Sequence, residues 1–139
     1  MTSLRTRLAH VRASDAMHRG VLTCSPETPV GDVARVMAQH RVHCVVVQEP
    51  GAHSADAWSV VSDRDLMHAV TTEGTDDLVA ARVAGTAVPR IGAAEPLTRA
   101  AQLMGEHGVS HLVVVGDASG RPEGILSSLD VAMVVAGSD

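Results

Sequence analysis

The sequence predicts an α/β fold built from two copies of a β-α-β-β-α unit, and two repeated patterns support this. A short apolar run, then a serine and, three residues later, an aspartate occur at Ser59–Asp65 and again at Gly124–Asp130. The two serines, Ser62 and Ser127, are 65 positions apart. Upstream, a helical pattern and the apolar run after it recur at an offset of 67 positions. Repetition in register indicates duplicated structural units.

The first helix of each copy is predicted from apolar residues spaced to form one face. This helix is expected over residues 30–40 of the first copy, with Thr28 as its N-cap and Pro29 as its first residue. Gly108 stands where a glycine commonly ends a helix, so it marks the end of the second. The two predicted faces consist of Val30, Val33, Ala34 and Met37 and of Leu97, Ala100, Ala101 and Met104.

The strands are predicted from continuous apolar runs, which are typical of strands buried on both faces. They are expected around residues 21–24, 44–47 and 58–61 of the first copy and over 112–115 and 124–126 of the second. Short helices then follow over 63–70 and 128–136. The first copy carries two additional residues between Gln48 and Trp58, in a segment rich in turn-forming residues.

Composition limits the classes of protein that this chain can belong to. It has 139 residues, of which 45% are hydrophobic, but it has no Phe or Tyr, so Val, Ala, Leu and Met must fill the core. The net charge of −5 argues against a nucleic-acid-binding protein. No apolar stretch reaches the roughly 18–20 residues that cross a bilayer. Since no secretory signal is evident, we expect a cytoplasmic protein in which Cys24 and Cys44 are free thiols.

The repeated serine and aspartate suggest a nucleoside site on chemical grounds. A carboxylate such as Asp65 or Asp130 can accept hydrogen bonds from both vicinal hydroxyls of a ribose. Ser62 and Ser127 stand at predicted helix starts, where a hydroxyl can meet a phosphate and free N–H groups favour an anion. The same spacing also suits a capping box, in which both side chains only stabilise the start of their helix. The sequence leaves these two interpretations open.

These units, each near 60 residues, resemble a tandem pair of CBS domains, known as a Bateman module. The segment Val11–Met17 is similar to the lead-in of that family, and Val42–Val47 and Val109–Val114 resemble its buried strand. Ser59 stands where the family usually has glycine. The resemblance implies two repeats packed with pseudo-two-fold symmetry into one module. The expected divisions are an N-terminal helical segment over 1–12, repeats over 13–70 and 83–139, and a linker over 71–82.

The resemblance also implies a function. The family acts as a regulatory sensor without enzymatic activity, and it binds adenosine-containing ligands such as AMP, ADP, ATP, S-adenosylmethionine or NAD in the cleft between repeats. We therefore expect a homodimer that requires no cofactor and signals by a conformational shift to an effector protein in trans. The alternative is a protein-interaction module whose nucleotide sites are vestigial.

The candidate binding residues fall into two sets, one in each copy. Asp65 and Asp130 would bind ribose, and the motif serines and two arginines would meet phosphate, although either arginine taken alone is better explained as solvated surface. By resemblance, four apolar residues would line the adenine slots. The first set is Val42, His43, Val60, Ser62, Arg64 and Asp65; the second is Arg90, Val109, Ser110, His111, Ile125, Ser127 and Asp130.

The two sets are not chemically equivalent, and neither is expected to hold a metal. His43 aligns with Ser110, and Cys44 aligns with His111, so the copies can differ in ligand or charge preference. Neighbouring strand residues point to opposite faces, so His43 and Cys44 cannot easily share one ion.

Overall fold

The computed structural model describes residues 3–49, 58–72, 77–84 and 88–137. Strands are β1 (His18–Arg19), β2 (Thr23–Cys24), β3 (Cys44–Gln48), β4 (Trp58–Ser62), β5 (Arg90–Gly92), β6 (His111–Val115) and β7 (Pro122–Ser127). Helices are α1 (Leu4–Ala9), α2 (Ala13–Ala16), α3 (Val30–His40), α4 (Asp63–Thr72), α5 (Ala80–Val83), α6 (Leu97–His107) and α7 (Ser128–Val135). The order β2-α3-β3-β4-α4 and then β5-α6-β6-β7-α7 confirms the predicted duplication.

The chain forms two compact units, each organised around one sheet. The first unit, residues 22–87, contains the sheet β2-β3-β4, in which β2 runs parallel and β4 antiparallel to β3. The second unit combines residues 1–21 with residues 88–139 and contains the sheet β1-β7-β6-β5. Its first strand, β1, pairs antiparallel with β7 and was not predicted from the sequence. The two-residue insertion before Trp58 falls within residues 50–57, outside the described residues.

Each compact unit contains a short helix that precedes the strands of the other unit in the chain. Helix α2 precedes β2 yet belongs to the second unit, and α5 precedes β5 yet belongs to the first. The same pair of backbone hydrogen bonds fastens each of them. These are Leu97 N–H to Val11 O (2.9 Å) and Ala13 N–H to Glu95 O (2.8 Å), and Val30 N–H to Leu78 O (2.9 Å) and Ala80 N–H to Thr28 O (2.8 Å).

These backbone bonds correct the predicted cap of the first helix. Thr28 does not cap α3, because its Oγ1 accepts a hydrogen bond from Ser25 N–H at 3.1 Å. The helix begins at Val30, and the carbonyl of Leu78 takes the Val30 N–H instead. A segment distant in sequence thus supplies the acceptor that was expected from Thr28.

The core of each unit lies between one face of the sheet and its helices, and Val, Leu, Ala and Met fill it as predicted. Ala34 and Ala101 are exposed, so their predicted place on the buried faces was wrong. Leu103 is buried in α6, and Val36 packs partly against the core in α3. The fully or nearly fully buried residues include Val33, Val45 and Val61 in one unit and Ile91, Leu97, Leu112, Val114 and Leu126 in the other.

The N-terminal helix α1 forms as predicted and packs against α6 and α7. Leu8 and Val11 contact the core of the second unit, while Leu4 stays exposed. Arg7 Nη1 donates to the carbonyl of Val135 at 3.0 Å, at the end of α7. Among the described residues, no helix combines the length and apolar character needed to cross a membrane.

Arg41→Gly is expected to raise the free energy of unfolding by about 0.5–1 kcal/mol. Arg41 ends α3 in the left-handed region at φ 54°, where the aligned residue at the end of α6 is Gly108 at φ 62°. A side chain is strained in this conformation and glycine is not. Urea denaturation measures the change, and Gly108→Ala, which introduces the strain, should lower stability. A less stable Arg41→Gly variant would contradict this account of the helix end.

Candidate functional site

The first repeated motif forms a tight corner where β4 runs into α4. Ser62 N–H donates to Asp65 Oδ2 at 2.8 Å, and Asp65 N–H donates to Ser62 Oγ at 3.1 Å. These reciprocal bonds form the capping box that the spacing allowed. Asp65 is nonetheless a buried carboxylate, with only 7% of its surface exposed.

The second motif repeats this corner where β7 runs into α7. Ser127 N–H donates to Asp130 Oδ2 at 2.8 Å, and Asp130 N–H donates to Ser127 Oγ at 3.1 Å. Asp130 is 8% exposed. In both copies the capping bond uses Oδ2 and so leaves the second carboxylate oxygen, Oδ1, for another donor. Buried carboxylates are costly unless they are bonded, so the identity of that donor matters.

Four of the nine remaining candidate residues share one face of their sheet, which we call the motif face because it carries the motif serine. Residues paired directly across neighbouring strands point to the same side of a sheet, and successive residues along one strand point to opposite sides. The pairing therefore defines both motif faces, each opposite the face that packs on the core. They carry Thr23, Cys44, Val46, Val60 and Ser62 in the first unit and Arg90, His111, Val113, Ile125 and Ser127 in the second.

These two faces correspond position by position, and they differ in chemistry at two places. Thr23 of the first unit aligns with Arg90 of the second, and Cys44 aligns with His111. The apolar pairs Val46–Val60 and Val113–Ile125 are alike in both. The second motif face is thus the more basic of the two.

The second unit adds a residue that sequence reasoning missed. His18 lies on β1 directly opposite Ile125 of β7, so it extends the second motif face by one strand. Its Nε2 lies 3.0 Å from Asp130 Oδ1, the carboxylate oxygen that the capping box leaves over. The imidazole side chain is 79% exposed, whereas the carboxylate beneath it is buried. No local pattern in the sequence indicated this contact, because β1 has only two residues.

The other candidate residues lie just outside the motif faces. Val42 and Val109 precede the strands β3 and β6 and pack partly against the two cores, so their role in adenine binding stays a prediction. Ser110 is exposed, and its Oγ lies 3.0 Å from Nδ1 of the neighbouring His111. Arg64 is exposed in the first turn of α4.

His43 forms a polar contact at the first corner. Its Nδ1 lies 2.9 Å from Asp63 Oδ2, and Asp63 N–H donates to the carbonyl of His43 at 2.8 Å. In the described part of the chain, no group of three His, Cys, Asp or Glu side chains is placed to hold a metal ion.

Both cysteines are free thiols, as predicted. Cys24 pairs across the sheet with Val47, three residues beyond Cys44, which places the two cysteines about 10 Å apart along the strand direction. Burial, with a smaller contribution from the Asp63 charge, raises the pKa of Cys44 to about 11. Burial also raises the pKa of Cys24, partly offset by a hydrogen bond with Thr28. Neither thiol is therefore a reactive thiolate at neutral pH.

Comparison with known families now identifies this architecture. The family model described as the CBS domain matches the chain twice, over residues 13–72 and 80–137. The chain belongs to the CBS domain family. Each match ends just after one Ser-Asp corner and its helix, so the duplicated motif and the duplicated CBS domain are the same feature. No curated protein sequence matches the chain significantly.

Solved CBS structures share the fold over nearly the whole chain. A CBS domain protein from Pyrobaculum aerophilum complexed with AMP is 24% identical, covers 92% of this chain and 100% of that one, and has a TM-score of 0.72. A CBS domain pair in complex with 5′-methylthioadenosine and S-adenosyl-L-methionine is 16% identical, covers 91% and 97%, and scores 0.77. The CBS domain of a bacterial CNNM/CorC family Mg²⁺ transporter in complex with ATP is 16% identical, covers 98% and 94%, and scores 0.77.

Proposed function

We propose that this CBS pair is a non-enzymatic regulatory module that binds an adenosine-containing ligand through its Ser-Asp corners and signals in trans. The candidate ligands are AMP, ADP, ATP, S-adenosylmethionine and NAD. The proposal includes a cytoplasmic location and a homodimer. Binding would stabilise one of two conformations and so change contact with an effector protein.

The duplicated buried carboxylate is the observation that carries this proposal. A helix cap needs one carboxylate oxygen, and at both corners Oδ2 fills that role. A carboxylate has about four lone pairs and capping uses one of them, so each carboxylate has the capacity to accept hydrogen bonds from ribose hydroxyls as well. Hydrogen bonds to a charged group contribute roughly 1.5–3 kcal/mol each, which is enough to anchor a nucleoside.

The rest of each corner suits the other parts of a nucleotide. The helices α4 and α7 begin at these corners, and the dipole of a helix favours a phosphate at its start. The first three N–H groups of α4 already donate to His43 O, Asp63 Oδ1 and Ser62 Oγ, so the dipole is the contribution that this helix offers. Val46, Val60 and Val113 on the motif faces are buried, whereas Ile125, beside the second corner, is half-buried and leaves apolar surface that suits an adenine ring. The solved relatives with AMP, ATP and adenosyl compounds support this choice of ligand class.

Exposed apolar residues on α4 and α7 favour a second candidate function, that of an interaction module with vestigial sites. Met67 and Val70 on α4 and Leu129 and Met133 on α7 are between 48% and 67% exposed. Spaced three or four residues apart, each pair forms a small apolar patch on one helix face. Such patches suit contact with a second protein, either another copy of this chain or an effector.

Thermal denaturation against a ligand panel separates the two candidates. We expect one of AMP, ADP, ATP, S-adenosylmethionine and NAD, at 100 times its dissociation constant, to add about 2.7 kcal/mol and raise the melting temperature by several degrees. The variant Asp65→Ala with Asp130→Ala should lose the shift. No shift with any compound would rule out the sensor proposal and favour the interaction module.

A further inference from the structure

We propose that His18 sets the affinity of the second corner for ribose by occupying Asp130 Oδ1 until a ligand displaces it. This inference rests on the proposed function, because it concerns the same corner. It goes beyond that function by assigning a specificity-determining role to a residue outside the repeated motif.

The two oxygens of Asp130 have different partners. Oδ2 accepts from Ser127 N–H inside the corner, and Oδ1 is bonded to His18 Nε2 at 3.0 Å. Since the carboxylate is buried and the imidazole is 79% exposed, His18 covers Oδ1 from the solvent side. The pairing of β1 with β7 keeps His18 there, next to Ile125 on the motif face.

A ribose that approaches Asp130 from solvent meets the imidazole before it meets the carboxylate. Its two vicinal hydroxyls need both carboxylate oxygens, and Ser127 N–H already uses one lone pair of Oδ2. The imidazole takes one of the two lone pairs of Oδ1 and lies on its solvent side, so a ribose hydroxyl competes with His18 for this oxygen. Because the imidazole is largely exposed to solvent, its contact with the carboxylate is weak, and competition with it should reduce affinity by only about threefold to fivefold.

The first copy has no histidine at the corresponding position. At the offset of 67 that aligns the start of each copy, His18 corresponds to Gly85, which lies outside the described residues. The inference therefore concerns the second corner, whose histidine the first copy lacks in sequence, although Ser62 and Asp65 repeat the geometry of Ser127 and Asp130.

The test compares ribose ligands at the second corner with and without His18. In an Asp65→Ala background, which confines ribose binding to Asp130, calorimetric titration with AMP, ATP and S-adenosylmethionine is done before and after His18→Ala. We expect His18→Ala to tighten the compound that binds by about threefold to fivefold. The gain should be absent with the 2′,3′-dideoxy form of AMP, which lacks the two hydroxyls. His107→Ala, an exposed histidine at the end of α6, is the matched control and should change nothing.

Each outcome bears on a different claim. Unchanged or weaker binding after His18→Ala would overturn the inference but leave the proposed function intact. An equal gain with the dideoxy compound would also overturn it, because His18 would then act on another part of the ligand. No binding to wild type or any variant would overturn the proposed function, and the inference with it. If Asp65→Ala does not fold, His18→Ala in the otherwise unchanged chain is compared with wild type for the same gain.

Discussion

Asp130→Ala is expected to weaken binding of AMP at the second corner by about 2 kcal/mol, or roughly thirtyfold. The ribose hydroxyls lose a charged acceptor, and the neighbouring Ser127 and His18 carry no carboxylate that could replace it. Calorimetric titration of the Asp65→Ala variant, with and without Asp130→Ala, isolates this corner. Asp65→Ala alone should cause a similar loss at the first corner.

A less disruptive substitution separates ligand binding from helix capping. Asp130→Asn removes the charge but keeps a side-chain oxygen that can accept from Ser127 N–H, so α7 should still begin normally. We expect nearly the same loss of AMP affinity as in Asp130→Ala, with a melting temperature closer to wild type. Unchanged affinity in Asp130→Asn would mean that the carboxylate acts only as a cap.

Glu95→Ala is the matched control for this pair of variants. Glu95 also uses a carboxylate oxygen to accept a backbone hydrogen bond within the second unit, from Gly92 N–H at 2.9 Å. It is exposed and lies outside the Ser-Asp corner. Glu95→Ala should lower stability slightly and leave AMP affinity unchanged. That result would show that loss of a carboxylate–backbone hydrogen bond does not by itself weaken AMP binding.

The features that the sequence predicts well are local ones. The Ser-Asp corner spans four residues, so its bonds follow from the motif and the turn between strand and helix. The strand and helix order follows from hydrophobic periodicity, and duplication checks each assignment against its copy. The buried faces were less well predicted, because Ala34 is apolar but small, and solvent exposure costs it little.

The features that the sequence does not predict depend on contacts between distant segments. The carbonyl of Leu78 accepts the first N–H of α3, and α2 belongs to the second unit although it precedes β2 in the chain. Neither feature can be predicted without knowing which distant segments fold together. Strand β1 is too short to show a period, so the contact of His18 with Asp130 left no sequence signal. The sequence therefore predicted the motif residues of the candidate site but not His18, which lies in the N-terminal part of the second unit, residues 1–21.

The pairing of β1 with β7 also explains why the two motifs differ at one position. Gly124 aligns with Ser59, the position where the family usually has glycine. Gly124 lies on β7 between two strands, opposite Arg19 of β1 and Val114 of β6. Ser59 lies on β4, whose one strand partner among the described residues is β3, and it is exposed. Within the described part of the chain no second strand approaches Ser59, so a side chain is tolerated there.

Gly124→Ala should therefore destabilise the protein by about 1–3 kcal/mol. A Cβ at Gly124 would lie 2.5 Å from the carbonyl oxygen of His18 and 2.6 Å from Met17 Sδ. The methionine can rotate away, but the carbonyl belongs to the backbone, so β1 must move off β7. Thermal or urea denaturation measures the loss. Because β1 carries His18, the same variant should also bind AMP at the second corner in the manner of His18→Ala.

Gly105→Ala makes the comparison specific to this close approach. Gly105 lies in α6 of the same unit, where an added Cβ meets nothing within 4 Å, and alanine favours a helix more than glycine does. That variant should be more stable than wild type by about 0.5–1 kcal/mol. If Gly124→Ala lowers the free energy of unfolding and Gly105→Ala raises it, the loss in Gly124→Ala arises from the contact between β1 and β7. A Gly124→Ala variant as stable as wild type would show that β1 does not pack there, and the proposed role of His18 would lose its structural basis.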